Sequence, residues 1–233
     1  MQDSVREPVQ DSVRDSVRDA GRVVRGLENG SSSVRLQAAL AAGTTPDPRF
    51  VGTLVERCAT EPEPYVREML TWALTRHPSS TTLPKLVAEL RSERAQARSQ
   101  ALHTLSKIGD RQAWPAVTRS LLTDSDDEVA RCAWRAAVVL VPEEEAPALA
   151  EVLATQLGRG GREMHLSLSR ALIALGEVAV MPVLRAATAH TDPRVRGHAV
   201  GTEQLLRDPD AGHDFAIGEA RRIVALGTTG QEE

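Results

Sequence analysis

An all-α chain of about six antiparallel helix pairs, wound as a right-handed α-α superhelix, is predicted by three observations on these 233 residues. Apolar residues reach 41% while aromatic ones stop at 3%, so the core must be built from Ala, Leu and Val, and Ala and Leu are strong helix formers. Apolar residues recur at steps of three and four, and no alternating run of the strand type interrupts them. The chain also returns on itself every 31 or 32 residues, as stacked helix pairs do.

Residues 1–30 differ in character from the rest of the chain. The tetrad Asp-Ser-Val-Arg occurs at 3–6, 11–14 and 15–18, and Val9, Val13, Val17, Ala20, Val24 and Leu27 fall on one helical stripe. Valine is a mediocre helix former and Gly21 costs about 1 kcal/mol, so the stripe is marginal unless it packs on something. Two outcomes are open: a disordered segment, or an amphipathic helix that covers the open end of the array or forms a homodimer through residues 9–27.

The repeats occupy residues 31–226. First helices open at Val34-Arg35, Val66-Arg67, Ala97-Arg98, Val129-Ala130 and Val195-Arg196, and one turn later come Ala38, Leu70, Ala101, Ala133 and Ala199, expected in the core. Second helices are marked by Pro84, Pro115, Pro147 and Pro182, since proline suits a first turn, where its missing N–H would have no partner. Cys58 takes a position held by leucine in the next three repeats, so it too reads as core. Trp114 and Trp134 fall on apolar positions. Trp72 stands off the main stripe and is the candidate aromatic contact. Breakers at 61–64, 124–127, 158–161 and 192–193 separate the pairs. The fifth pair is irregular and opens near Arg162. A final helix from about His213 to Leu226, with Phe215, Ile217, Ile223 and Val224, suits an end cap, and residues 227–233 form a flexible tail.

The stretch Ala97-Arg98-Ser-Gln-Ala101-Leu102-His-Thr-Leu105-Ser-Lys-Ile108-Gly109-Asp110, followed by Trp114-Pro115-Ala-Val117, resembles the short HEAT-like repeat of phycobilisome-lyase type, here as in bacterial HEAT repeat proteins. The period is shorter than the roughly 40 to 47 residues of ordinary HEAT or armadillo units. The resemblance implies that Arg35, Arg67, Arg98 and Arg196 form a structural ladder tying one turn to the next. Related enzymes frame the alternatives. Deoxyhypusine hydroxylases of similar build hold iron with His-Glu pairs, and this chain has no His-Glu dipeptide. HEAT-like alkylpurine DNA glycosylases use a basic cleft, and a bilin lyase-like role is implied by the family name alone.

No catalytic motif, metal-ligand spacing or cofactor loop is legible, so no cofactor is expected. A net charge of −4 and only two lysines, Lys85 and Lys107, argue against nucleic acid. Two distant cysteines and no apolar run of about 20 residues point to a cytoplasmic protein without a membrane span. In resembling solenoids the second helices line the concave surface. Their outward phases here present Glu56, Arg57, Lys85, Glu89, Arg119 and Glu151, a mixed-charge face suited to a protein or peptide. The expectation is a non-enzymatic scaffold or adaptor, with a ligand- or DNA-binding HEAT-like enzyme as the alternative.

Overall fold

The computed structural model describes residues 20–208. They fall into two compact units, one ending at Val141 and the other beginning at Pro142.

The first unit opens with a helix at residues 20–27, α1. Its Leu27 is fully buried, and Gly26 lies so close to Ala38 that a Cβ there would stand 2.8 Å from the alanine methyl. The marginal stripe thus has something to pack on over these residues. The part of the stripe before residue 20, with most of the 9–27 segment considered for dimerisation, lies outside the described residues.

Three helical hairpins come next: α2 (Ser32–Thr44) with α3 (Phe50–Cys58), α4 (Pro64–Thr75) with α5 (Ser79–Glu89), and α6 (Ala95–Ile108) with α7 (Arg119–Leu122). A fourth first helix, α8 (Asp127–Leu140), ends the unit. The links are too short for anything but antiparallel neighbours. The first helices stack in the order α2, α4, α6, α8, and the small residues Ala38, Ala39, Ala42, Ala101, Ala133 and Ala137 let them approach closely. Gly43 makes the tightest of these contacts, lying directly beneath the Trp72 ring.

The second unit contains α9 (Ala146–Ala154), the hairpin α10 (Arg162–Ala174) and α11 (Glu177–Thr188), and α12 (Pro193–Arg207). Gly158 and Gly160 turn the chain in the left-handed region, φ 79° and 68°. The backbone of Val195 comes within 3.1 Å of where a Cβ on Gly158 would sit. The end-cap helix expected at 213–226 and the tail at 227–233 lie outside the described residues.

The structure corrects the proline markers. Pro147 does stand in the first turn of α9, but Pro84 and Pro182 lie inside α5 and α11, each five residues past the start. The carbonyls they leave without a helical N–H are those of Ser80 and Val178, both on exposed residues, Val178 at 93%, so water can take the bond. Pro115 marks no α-helix. It disfavours α geometry at Trp114, and the chain takes a 3-10 turn over Arg111–Ala116, leaving α7 only one turn long. Trp114 is accordingly half-buried rather than core. Trp134 is fully buried, its indole N–H donating to the Leu122 carbonyl at 2.8 Å.

Candidate functional site

The second helices α3 and α5 of the first unit border a groove of about 480 Å3. It runs past the C-terminal turns of both helices, with Glu56 and Arg57 from α3 and Glu89 from α5, and reaches Glu28 beyond α1 and Arg94 before α6. Glu28, Glu56 and Glu89 make no ion pair among the described residues. Two helix C-termini add their partial negative charge to the same end. Arg57 is different: its Nε turns inward and donates to the Glu61 carboxylate at 2.8 Å. Nearby, a methyl group on Gly52 would lie 3.8 Å from the Lys85 ammonium, which places that exposed cation over α3.

The other candidates are not gathered here. Trp72 belongs to a first helix, α4, and is 38% exposed with its ring seated on Gly43. Arg119 is exposed at the start of α7. Glu151 is exposed on α9, in the second unit. Glu28 and Arg94 are the charged lining residues that periodicity misses, because both sit in links whose path only the fold determines.

The four arginines of the ladder share one posture. In each, one Nη donates to the carbonyls five and six residues back: Asn29 and Gly30 for Arg35, Glu61 and Pro62 for Arg67, Ser92 and Glu93 for Arg98, His190 and Thr191 for Arg196. Two of them also reach forward to the next turn. Arg35 grips both oxygens of Glu61 at 2.7 Å, and Arg98 grips Asp124 at 3.1 and 3.3 Å. Glu61 is fully buried. Burial alone would push its carboxyl up, but Arg35, the Glu63 N–H and Arg57 hold it down at about 2.

A second polar cluster lies in the other unit, where sequence spacing gives no warning. His198 is buried, and its Nδ1 accepts the Gly158 N–H at 3.1 Å, so the hydrogen resides on Nε2. That nitrogen is 3.1 Å from Ser169 Oγ and 3.0 Å from the His165 carbonyl. Ser169 in turn meets Thr202 Oγ1 at 2.8 Å, and Thr202 donates to the His198 carbonyl. His198 therefore acts as a donor towards Ser169 and cannot take its proton, the reverse of what a nucleophile needs. Burial, reinforced by the stacked ring of His165 at 4.3 Å, holds the imidazole down at about 4. The pair Thr71 and Thr104, 3.4 Å apart between α4 and α6, repeats the Ser169 and Thr202 contact in the first unit. Both pairs are 33 residues apart, about one repeat.

Among the described residues, no group of three or more His, Cys, Asp or Glu side chains is arranged to hold a metal ion, and no helix is long and apolar enough to cross a membrane.

No protein-family model matches the chain, and no curated protein does. Solved structures that resemble it are helical repeat proteins. An engineered protein is 22% identical over 81% of this chain and 96% of its own, with a TM-score of 0.47. The complex of CpcE and CpcF of phycocyanin lyase from Nostoc sp. is 19% identical over 77% and 74%, TM-score 0.47. Human deoxyhypusine hydroxylase is 17% identical over 87% and 89%, TM-score 0.47. Likeness at this level transfers no activity. What the chain shares with these proteins is the helix-pair repeat already evident in its own stacking, a HEAT- and armadillo-like fold.

Proposed function

We propose that this chain is a non-enzymatic adaptor that holds a protein or peptide partner along the second-helix face of its first unit. The observation that carries this reading is the groove bordered by Glu28, Glu56 and Glu89, three carboxylates with no ion pair of their own among the described residues. Carboxylates beside helix C-termini repel phosphate, which opposes the DNA reading, and they attract Lys or Arg side chains of a partner. Lys85, Arg57 and Arg94 at the margins supply the opposite sign and so set register and specificity. Helices already packed lose little freedom on binding. Arg119 extends the same series of second helices, and Trp72 and Glu151 play no part in this groove.

The test is capture from a nuclease-treated native lysate with the wild-type chain and with the pair Glu56→Lys, Glu89→Lys. A protein retained by the first, lost by the second and bound directly at 1:1 when purified supports the proposal, provided both chains melt at the same temperature. Retention by both chains, or tight binding of duplex DNA by the wild type, would overturn it.

A further inference from the structure

The second unit carries another cavity, of about 900 Å3, where α12 passes α10. On α12 it is floored by Gly197 and Gly201, at which a side chain would meet nothing within 4 Å among the described residues. Leu166, Val200 and Leu205 supply apolar walls, and Val200 is left 42% exposed. Among the described lining residues are three arginines and no carboxylate. Such a surface suits a ligand with an apolar body and a negative head.

Arg196 specifies that head. Its Nη1 is committed to two carbonyls at 2.7 Å each, but the remaining edge of the guanidinium, Nε with Nη2, has no partner among the described residues. In Arg35 and Arg98 this same edge grips a carboxylate, Glu61 and Asp124. Each of those acids stands 26 residues after its arginine. Spacing in the sequence offers no such acid to Arg196, since the same count reaches Arg222. His165, also in the lining, has its Nε2 shut off from solvent, so that atom does not face the open cavity.

We propose that this cavity binds a small amphipathic carboxylic acid, its carboxylate on the open edge of Arg196 and its apolar body in the glycine-floored trough. The ladder has already shown the geometry of the head-group contact twice within the chain itself. Leu166, Val200 and Leu205 hold the tail, which loses water on entry. The site uses none of the residues of the acidic groove, and neither proposal depends on the other.

Isothermal titration of the full chain with dodecanoate and with dodecanol, both below aggregation, separates head from tail. The wild type should bind dodecanoate at least about tenfold more tightly than the alcohol, since a charge-assisted fork is lost with the carboxylate. Arg196→Gln should abolish that preference. Gly201→Leu, which fills the trough at an open helical position, should weaken both ligands by about tenfold or more. Arg67→Gln, at a ladder residue outside the cavity, should leave both affinities unchanged. Equal binding of acid and alcohol, dodecanoate binding indifferent to Gly201→Leu, or no heat with either ligand would overturn the proposal. Should Arg196→Gln fail to fold, the Gly201→Leu titration and the acid-to-alcohol ratio decide it.

Discussion

At the scale of single residues, Glu61 concentrates the most interactions into the least space. Its carboxylate accepts from Arg35, Arg57 and the Glu63 N–H, while its carbonyl accepts from Arg67 and Gln96. Removing the side chain leaves the Arg35 guanidinium buried without its counter-charge, so Glu61→Ala should cost about 3 to 5 kcal/mol in urea denaturation. Asp124→Ala, the corresponding change beside the more accessible Arg98, should cost only about 1 kcal/mol. The two cysteines offer a contrast. Cys58 and Cys132 are buried, and burial pushes both thiols up to about 12, so neither forms appreciable thiolate near neutrality. Ellman's reagent should release no more than a trace of colour from the folded chain within minutes, and two equivalents in guanidinium.

Between elements, the fit of neighbouring first helices depends on which glycine is in question. At Gly43 an added Cβ would enter the Trp72 ring and stand 2.9 Å from the Cα of Ala73, so Gly43→Ala should destabilise the first unit by about 1 to 3 kcal/mol. At Gly197 nothing among the described residues lies within 4 Å, and Gly197→Ala should stabilise by roughly 0.5 to 1 kcal/mol through helix propensity alone. Midpoints of chemical denaturation compare the two. The sequence announced the first helices because their apolar positions repeat with the helical period, and the phases of α3 and α5 put Glu56, Arg57 and Glu89 on one face. It could not announce that Glu28 and Arg94 complete the groove, since links carry no periodicity. Nor could it show that Pro115 would divert the third hairpin into a 3-10 turn, while Pro84 was absorbed within α5. Both are proline-bearing second segments, and the difference lies in backbone geometry that residue identity leaves open.

Across the whole chain, two buried groups should give way to acid at different pH. His198, in the second unit, is held at about 4 in the fold against an ordinary 6.5, so the stability it confers is present above 6.5 and lost as the pH falls towards 4. Glu61, in the first, is held at about 2 against 4.5, and its contribution survives until the pH drops below 4.5. Hydrogen exchange on α10 and α12, corrected for intrinsic rate, should therefore accelerate between pH 6.5 and 4. His198→Gln should remove most of that acceleration; unchanged exchange over this range would contradict it. The arginine ladder has a consequence of another kind. Its backward bonds reach five or six residues and close within one repeat, whereas its forward grips reach 26 residues into the next. Arg67 has the backward bonds and no forward carboxylate among the described residues, yet its turn is formed like the others. Each turn thus carries its own fastening, and the tie to the next repeat is an addition that needs more than an acid at the right distance, since Glu93 stands 26 residues after Arg67 and is not gripped.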